Sequence, residues 1–407
     1  MKWFDSELKE LQKNDLLRKL TCIESSHGSK ISIEGQTYIN YSSNDYLGLS
    51  GHPEIAKTAM KALTEYGLGS GASRLLSGTY TPHKELEERI AKFKMTDAAL
   101  VFNTGYAANT GIIPAIAEED ALIFSDELNH ASIVDGVRLS KAGARIYRHR
   151  DVTHLESLLK KSLKDKTIRR RLIITDTVFS MDGDLAPLPD ILSLSKKYNA
   201  LLMIDDAHGT GVLGKTGRGG LEHFDIEHTD SIIQMGTLGK AVGCFGAFAA
   251  GSRGLINLLV SKARSFVYST SLPPVIAAAS SRAIDIVEFE SGPRRKRLWR
   301  NRHRLYEGLQ SLGYDTLNSE TPVIPVLIGD VKRTIDAGKF LFKENIFAPA
   351  IRPPSVPDGK CRIRLSVTSA HTNDDIDKLL KVMSKLCSVI PACRESFFSG
   401  RIADKPQ

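Results

Sequence analysis

The chain has 407 residues, more than one hydrophobic core usually serves, so two or more structural units are expected. Hydrophobic residues are 42% and charged residues 25%, the balance of a folded globular protein rather than a disordered or fibrous one. The formal charge is +8, no apolar run is long enough to cross a bilayer, and the charged N-terminus lacks the apolar core of a secretory signal. Cys22, Cys244, Cys361, Cys387 and Cys393 are odd in number and lack CxxC spacing. That argues against a disulfide framework or a metal site and is expected of a cytoplasmic protein. Two basic runs, Arg169-Arg170-Arg171 and Arg294-Arg295-Lys296-Arg297, come without a nucleic-acid-binding signature. They read as solvated surface, or as attraction for an anionic substrate such as a coenzyme A thioester. No nucleic-acid or membrane partner is expected.

The first predicted element is an amphipathic N-terminal helix, with Phe4, Leu8 and Leu11 three and four apart and Arg18 near its end. Short runs rich in Leu, Ile and Val follow at 98–102, 121–124, 172–175, 201–204 and 231–235. Each leads into polar or glycine-rich residues and then a helix-like stretch, the pattern of buried parallel strands in an α/β sheet. The C-terminal part differs. A basic helix is predicted over 294–312, strands over 323–328 and 362–367, and a closing helix over 374–386. A smaller α+β domain therefore begins near Glu288.

In such a sheet, ligands bind beyond the carboxyl ends of the strands, and the notable polar residues fall there. LLMIDDAHGTG delivers Asp205 at a strand end, with His208 three residues on. A buried acid there can keep the ring nitrogen of pyridoxal phosphate (PLP) protonated, or it can cap a helix. SIIQMGTLGKAVG frames Lys240 with glycines that permit close backbone approach to a ligand, and Thr237 offers a hydroxyl to a phosphate. A P-loop is excluded because Ala241 stands where that motif needs Ser or Thr. In FNTGYAANTG, Gly105 and Tyr106 open a helix whose N-terminus favours a phosphate, or simply turn the chain. Ser180 follows the run at 172–175, and His130 follows the run at 121–124.

SSNDYLGL, GSGASRLLSGT, NHASIVDG, VFSMDGD, DDAHGTG, GTLGKA, YSTSLPP and RLSVTSAH together resemble the motifs of fold-type I PLP enzymes, and among those the α-oxoamine synthase family. The likeness runs from roughly residue 16 to residue 386. It implies an α/β fold with a mainly parallel seven-stranded-type sheet. The expected parts are an N-terminal helix and arm (1–45), a large PLP-binding domain (46–287), a small domain (288–393) and a tail (394–407). It also implies roles. Lys240 holds PLP covalently and acts as base, Asp205 pairs with the ring nitrogen, His208 bonds the ring hydroxyl, and His130 stacks on the ring and orients the substrate's carboxylate or thioester oxygen. Ser180, Thr237 and the backbone at Gly105 and Tyr106 complete the cofactor site. Ser269 and Thr270 match a segment that approaches the neighbouring subunit's cofactor in a homodimer. Asn44 and Arg352 match positions that hold the amino-acid carboxylate, and Arg18 and Ser355 match positions near the acyl substrate.

The implied reaction is a decarboxylative condensation of an amino acid with an acyl thioester. AIRPPSVPDGKCRIRLSVTSAHT is most similar to members that use L-alanine and pimeloyl-CoA, or a pimeloyl-carrier protein, in biotin synthesis. NHASIVDGVRLSKA and GTLGKA look equally like members that use glycine and acetyl-CoA, and Asp176 stands where some biotin-pathway members have Glu. A non-catalytic descendant serving as a regulator has no physical need for Lys240, Asp205, His208 and His130 together.

Overall fold

The computed structural model describes residues 2–389, so the expected tail at 394–407 and Cys393 lie outside the described residues. Two compact units organise the chain. The first draws on the described parts of Met1–Gly48, Met181–Asp184 and Lys296–Gln407, the second on Leu49–Ser180 and Leu185–Arg295. The N-terminal arm thus belongs to the same unit as the C-terminal region, and the division falls inside the helix Gly292–Ser311 rather than at 287/288.

The first unit opens with the helix Lys2–Lys13, and Phe4, Leu8 and Leu11 are exposed along it. Leu16 and Leu17 donate their N–H groups back to Leu11 O, and the chain then runs on without helix. Arg18 therefore lies beyond the helix, not near its last turn as expected. A hairpin follows, β1 (Lys30–Ile33) and β2 (Gln36–Asn40). Its two-residue turn, Glu34-Gly35, has positive φ at both positions, the turn whose twist matches paired strands.

The second unit is built on one seven-stranded sheet. Its strands are β3 (Ala98–Phe102), β4 (Ala121–Asp126), β5 (Gly143–Tyr147), β6 (Arg170–Asp176), β7 (Leu201–Asp205), β8 (Ile232–Thr237) and β9 (Ala247–Gly251), in spatial order β3-β9-β8-β7-β6-β4-β5. All neighbours pair in parallel except β9, which runs antiparallel to both β3 and β8. Alternate residues feed two apolar layers, as a strand period of two requires. Ile123 and Ile174 join the layer with Ile112 and Leu259, whereas Phe124 and Ile173 join the layer with Leu155 and Leu188. Both faces are thus covered, which is why these strands read as continuous apolar runs. Two strands of this sheet escaped the sequence reading. β5 is a sheet edge with only Tyr147 buried, so it has no apolar run, and β9 is the small-residue sequence AFAAG.

The rest of the first unit contains β10 (Val323–Gly329), β11 (Ile346–Phe347), β12 (Ala350–Ile351) and β13 (Cys361–Ser366). They form a sheet of order β10-β13-β12, while β11 pairs with β2. The helices Val331–Lys343 and Asn373–Val389 complete the α+β character. Among the described residues no helix is long and apolar enough to cross a membrane.

The basic runs are not simply solvated. Arg295 is buried and donates to Val287 O at 2.5 Å and Lys215 O at 3.0 Å. Arg170 pairs with Asp120, and Arg171 donates to Ser162 Oγ at 2.8 Å. An internal ion pair lies beside the sheet. Lys94 and Asp206 have fully buried side chains 2.8 Å apart, and Lys94 also donates to Arg218 O at 2.5 Å. Lys94→Met strands the Asp206 charge in the interior, so a loss of about 3–5 kcal/mol in denaturant unfolding is expected. A loss below about 1 kcal/mol would show that Asp206 finds other partners.

Candidate active site

Register sets the site. Asp176 and Asp205 end β6 and β7 side by side, Met235 stands beside Asp205 two residues before the end of β8, and all three line one cavity. It has a volume of about 320 Å³. Lys240, His130, Asp205, His208, Thr237, Gly105 and Tyr106 all line it. Seven sequence-predicted residues, scattered over 136 positions of chain, are therefore brought together.

The Lys240 loop follows β8 directly. Gly243, at φ +72°, closes it with a bond from its N–H to Lys240 O at 2.8 Å. A Cβ at Gly243 would lie 2.6 Å from the backbone of Leu49, so the loop needs glycine there twice over. Asp205 is buried, and each carboxylate oxygen has a donor. Ala207 N–H donates to Oδ1 at 3.0 Å, and Asn109 Nδ2 donates to Oδ2 at 2.8 Å. No helix starts at Asp205, so the capping alternative fails.

His130 caps the helix Ala131–Leu139 and accepts at Nδ1 from Ser132 N–H at 3.2 Å. Its backbone N–H donates to Asp176 Oδ2 at 2.7 Å. Burial holds the imidazole below its usual pKa, with Asp205 opposing and Lys240 reinforcing the shift. Asp176 also lines the cavity, and burial, with the nearby Asp205 charge, pushes its carboxyl well above the usual range. On the far wall, Thr104 caps the helix Gly105–Ile116 by accepting from Ala107 N–H at 3.0 Å. Gly105 and Tyr106 are the first residues of that helix, where N–H groups lack intrahelical acceptors. Thr237 faces Gly105 closely enough that a Cβ there would touch its methyl at 3.4 Å.

Three predicted cofactor residues stand apart from the lining. Ser180 is half-buried and outside it. Ser269 and Thr270 line a separate, narrow cleft with Arg74 and His83.

Apart from His130, the predicted substrate residues are in the first unit. Arg18 Nη2 donates to Ser355 Oγ at 3.2 Å, Ser355 N–H to Arg352 O at 3.1 Å, and Arg352 Nη2 to Leu17 O at 2.9 Å. Asn44 does not join them. Its Oδ1 accepts from Arg364 Nη2 at 3.1 Å and from Tyr46 OH at 3.2 Å. The arginine beside Asn44 is Arg364, not Arg352. Arg362, on the same strand, is instead committed to Asp182 at 2.7 Å.

A sequence profile described as aminotransferase class I and II matches residues 36–383. The chain belongs to that family. A relative called 8-amino-7-oxononanoate synthase, from Geobacter sulfurreducens, is 48% identical over 381 residues, 93% of this chain and 96% of its own. A second of that name, from Thermoanaerobacter pseudethanolicus, is 48% identical over 380 residues, 93% and 95%. Among solved structures, a serine palmitoyltransferase from S. paucimobilis with bound PLP superposes with a TM-score of 0.89 at 27% identity, covering 95% of this chain and 97% of that one. An 8-amino-7-oxononanoate synthase from Francisella tularensis gives 0.75 at 27% identity, covering 86% and 98%. These likenesses place the chain among the α-oxoamine synthases of the aminotransferase family, with the fold-type I architecture.

The donor set fits PLP. Asp205, with both oxygens held by neutral donors, is prepared for a cationic ring nitrogen. The Gly105 helix start and Thr237 suit a phosphate, and Lys240 supplies the amine. Among the described residues no cluster of His, Cys, Asp and Glu suits a metal ion. Asn109, Ser132 and Arg364 were missed from sequence. The available signals were an Asn inside the apolar helix AANTGIIPAI and two arginines inside an otherwise apolar strand.

Proposed function

We propose that this protein is a PLP-dependent acyltransferase that condenses L-alanine with pimeloyl-CoA, or a pimeloyl-carrier protein. The products are 8-amino-7-oxononanoate, CO2 and the free thiol, a step of biotin synthesis. The observation that carries this is the convergence of Lys240, Asp205, His208 and His130 on one cavity, in a chain 48% identical to enzymes of that name.

Bound PLP supplies an electron sink for the pair left when alanine loses its Cα proton. The protein's part is placement. Lys240 holds the cofactor and its amine takes and returns the proton. Asp205 keeps the ring nitrogen charged, His208 bonds the ring hydroxyl, and His130 covers the ring face. The helix start at Gly105 and Tyr106, with Thr237, holds the phosphate. Asn44 and Arg364, already adjacent, are the donors assigned to the alanine carboxylate, replacing the expected pair of Asn44 and Arg352. Arg18, with Ser355 and Arg352 beside it, is assigned to the distal carboxylate of the pimeloyl chain. The active form is a cytoplasmic homodimer. The position of Ser269 and Thr270 outside the Lys240 cavity supports their service to a neighbour's cofactor.

The test is thiol release by purified protein with each pairing of alanine or glycine and pimeloyl-CoA or acetyl-CoA. Alanine with pimeloyl-CoA should be fastest, and faster turnover of glycine with acetyl-CoA would reject the substrate assignment. Two variants should separate the substrates. Arg364→Ala should raise the KM for alanine, and Arg18→Ala the KM for pimeloyl-CoA but not for a thioester without a distal carboxylate. Each loses a charge-assisted contact worth roughly 1.5–3 kcal/mol, about tenfold to a hundredfold. A rise for both thioesters in Arg18→Ala would mean that it acts elsewhere.

A further inference from the structure

A continuous hydrogen-bond chain links the two sides of the cofactor cavity. Asn109 is fully buried and spends both amide hydrogens, one on Asp205 Oδ2 at 2.8 Å and one on Ser132 Oγ at 2.9 Å. Ser132 Oγ lies 2.7 Å from His130 Nδ1. The chain exists because two helices pack closely. A Cβ at Gly136 would lie 2.8 Å from Asn109 O and 2.8 Å from Ile113 Cδ1, so only glycine lets Ala131–Leu139 approach Gly105–Ile116 this tightly.

The polarity of the chain is fixed from one end. An ionised Asp205 accepts only, so the Asn109 amide must present nitrogen to it; the flipped amide would set oxygen against carboxylate. Ser132 Oγ then receives the second Asn109 hydrogen, which frees its own hydrogen for His130 Nδ1. Ser132 N–H donates to the same nitrogen. His130 Nδ1 is an acceptor from both, and its proton belongs on Nε2.

We propose that Asn109 is a positioning residue that relays the hydrogen-bond polarity set at Asp205 to the Ser132 hydroxyl, holding His130 neutral in its Nε2–H form. The proposal rests on the PLP site described above. It assigns Asn109 no contact with substrate. A protonated His130 would need Nδ1 as a donor, turn the Ser132 hydroxyl around and leave Ser132 N–H without its acceptor. The charged groups facing His130 are Asp205 and Lys240, with Asp176 on its backbone N–H. Burial and Lys240 act in the same direction as the chain, and Asp205 directly against it.

The test uses the PLP-loaded enzyme labelled with 15N-histidine, followed by long-range 1H–15N spectra across pH, with His130 identified by His130→Gln. The wild type should show an unprotonated Nδ1 and a depressed midpoint. Asn109→Ala removes the donor that orients the Ser132 hydroxyl, so the hydroxyl can turn and accept from a charged ring; the midpoint should rise by up to about one pH unit, the size of one ordinary hydrogen bond, with the Nδ1–H form populated. Ser132→Ala removes the middle link on a different residue and should do the same, so the test survives if Asn109→Ala does not fold. The two variants should differ elsewhere. Asn109→Ala also takes a donor from Asp205 and should displace the pH dependence of the cofactor absorbance more than Ser132→Ala does. An unchanged His130 midpoint and tautomer in a folded variant would overturn the proposal, as would equal displacement of the absorbance by both. Failure of the functional reading would be seen separately, as absence of covalent PLP.

Discussion

Lys240→Ala should retain the fold and lose turnover by roughly 10³-fold or more, because one side chain both holds the cofactor and moves the proton. The residue is half-buried in a loop whose shape depends on Gly243 and on the Lys240 carbonyl, and the substitution preserves both. PLP should still associate through Asp205, Thr237 and the Gly105 helix start, weakly and without a covalent bond. Thiol release measures the first effect, and dialysis followed by absorbance measures the second. Turnover within tenfold of the wild type would mean that another amine serves the site.

The next largest effect belongs to Asp205→Asn. A neutral amide cannot stabilise a protonated ring nitrogen, so the electron sink weakens while the cavity keeps its shape. The change also reaches Asn109. Its Nδ2 is 2.8 Å from Asp205 Oδ2, and an amide nitrogen placed there would set donor against donor, so one of the two amides must turn. Exchange of the alanine Cα proton for deuterium should slow by about 10²–10³-fold, the usual scale for losing one preorganised charge contact. Alanine should still bind. Exchange near the wild-type rate would refute the pairing of Asp205 with the ring nitrogen.

Much of this is legible in the sequence itself. The buried parallel strands have apolar side chains on both faces, so 98–102, 121–124, 172–175 and 201–204 announce themselves, and their polar ends point to the cavity. What stayed hidden depends on packing between segments. Asn109 looks like any polar residue in a helix until Gly136 brings Ser132 to it. Arg362 and Arg364 share a strand face by parity, yet one answers Asp182 and the other Asn44, and only the fold of the first unit tells them apart. Arg295 sits in a basic run that reads as surface, but two backbone carbonyls hold it inside. β5 was missed because only Tyr147 of it is buried, which leaves no apolar run to recognise.

The central claim is that Lys240 is the cofactor lysine of an α-oxoamine synthase. Borohydride reduction of the purified holoenzyme, followed by proteolysis and mass mapping, tests it most directly. The account predicts a single pyridoxyl group on the peptide containing GTLGKAVG, attached at Lys240, with loss of visible absorbance. A pyridoxyl group on a different lysine, or none on a protein that nonetheless releases thiol from pimeloyl-CoA with alanine, would contradict it.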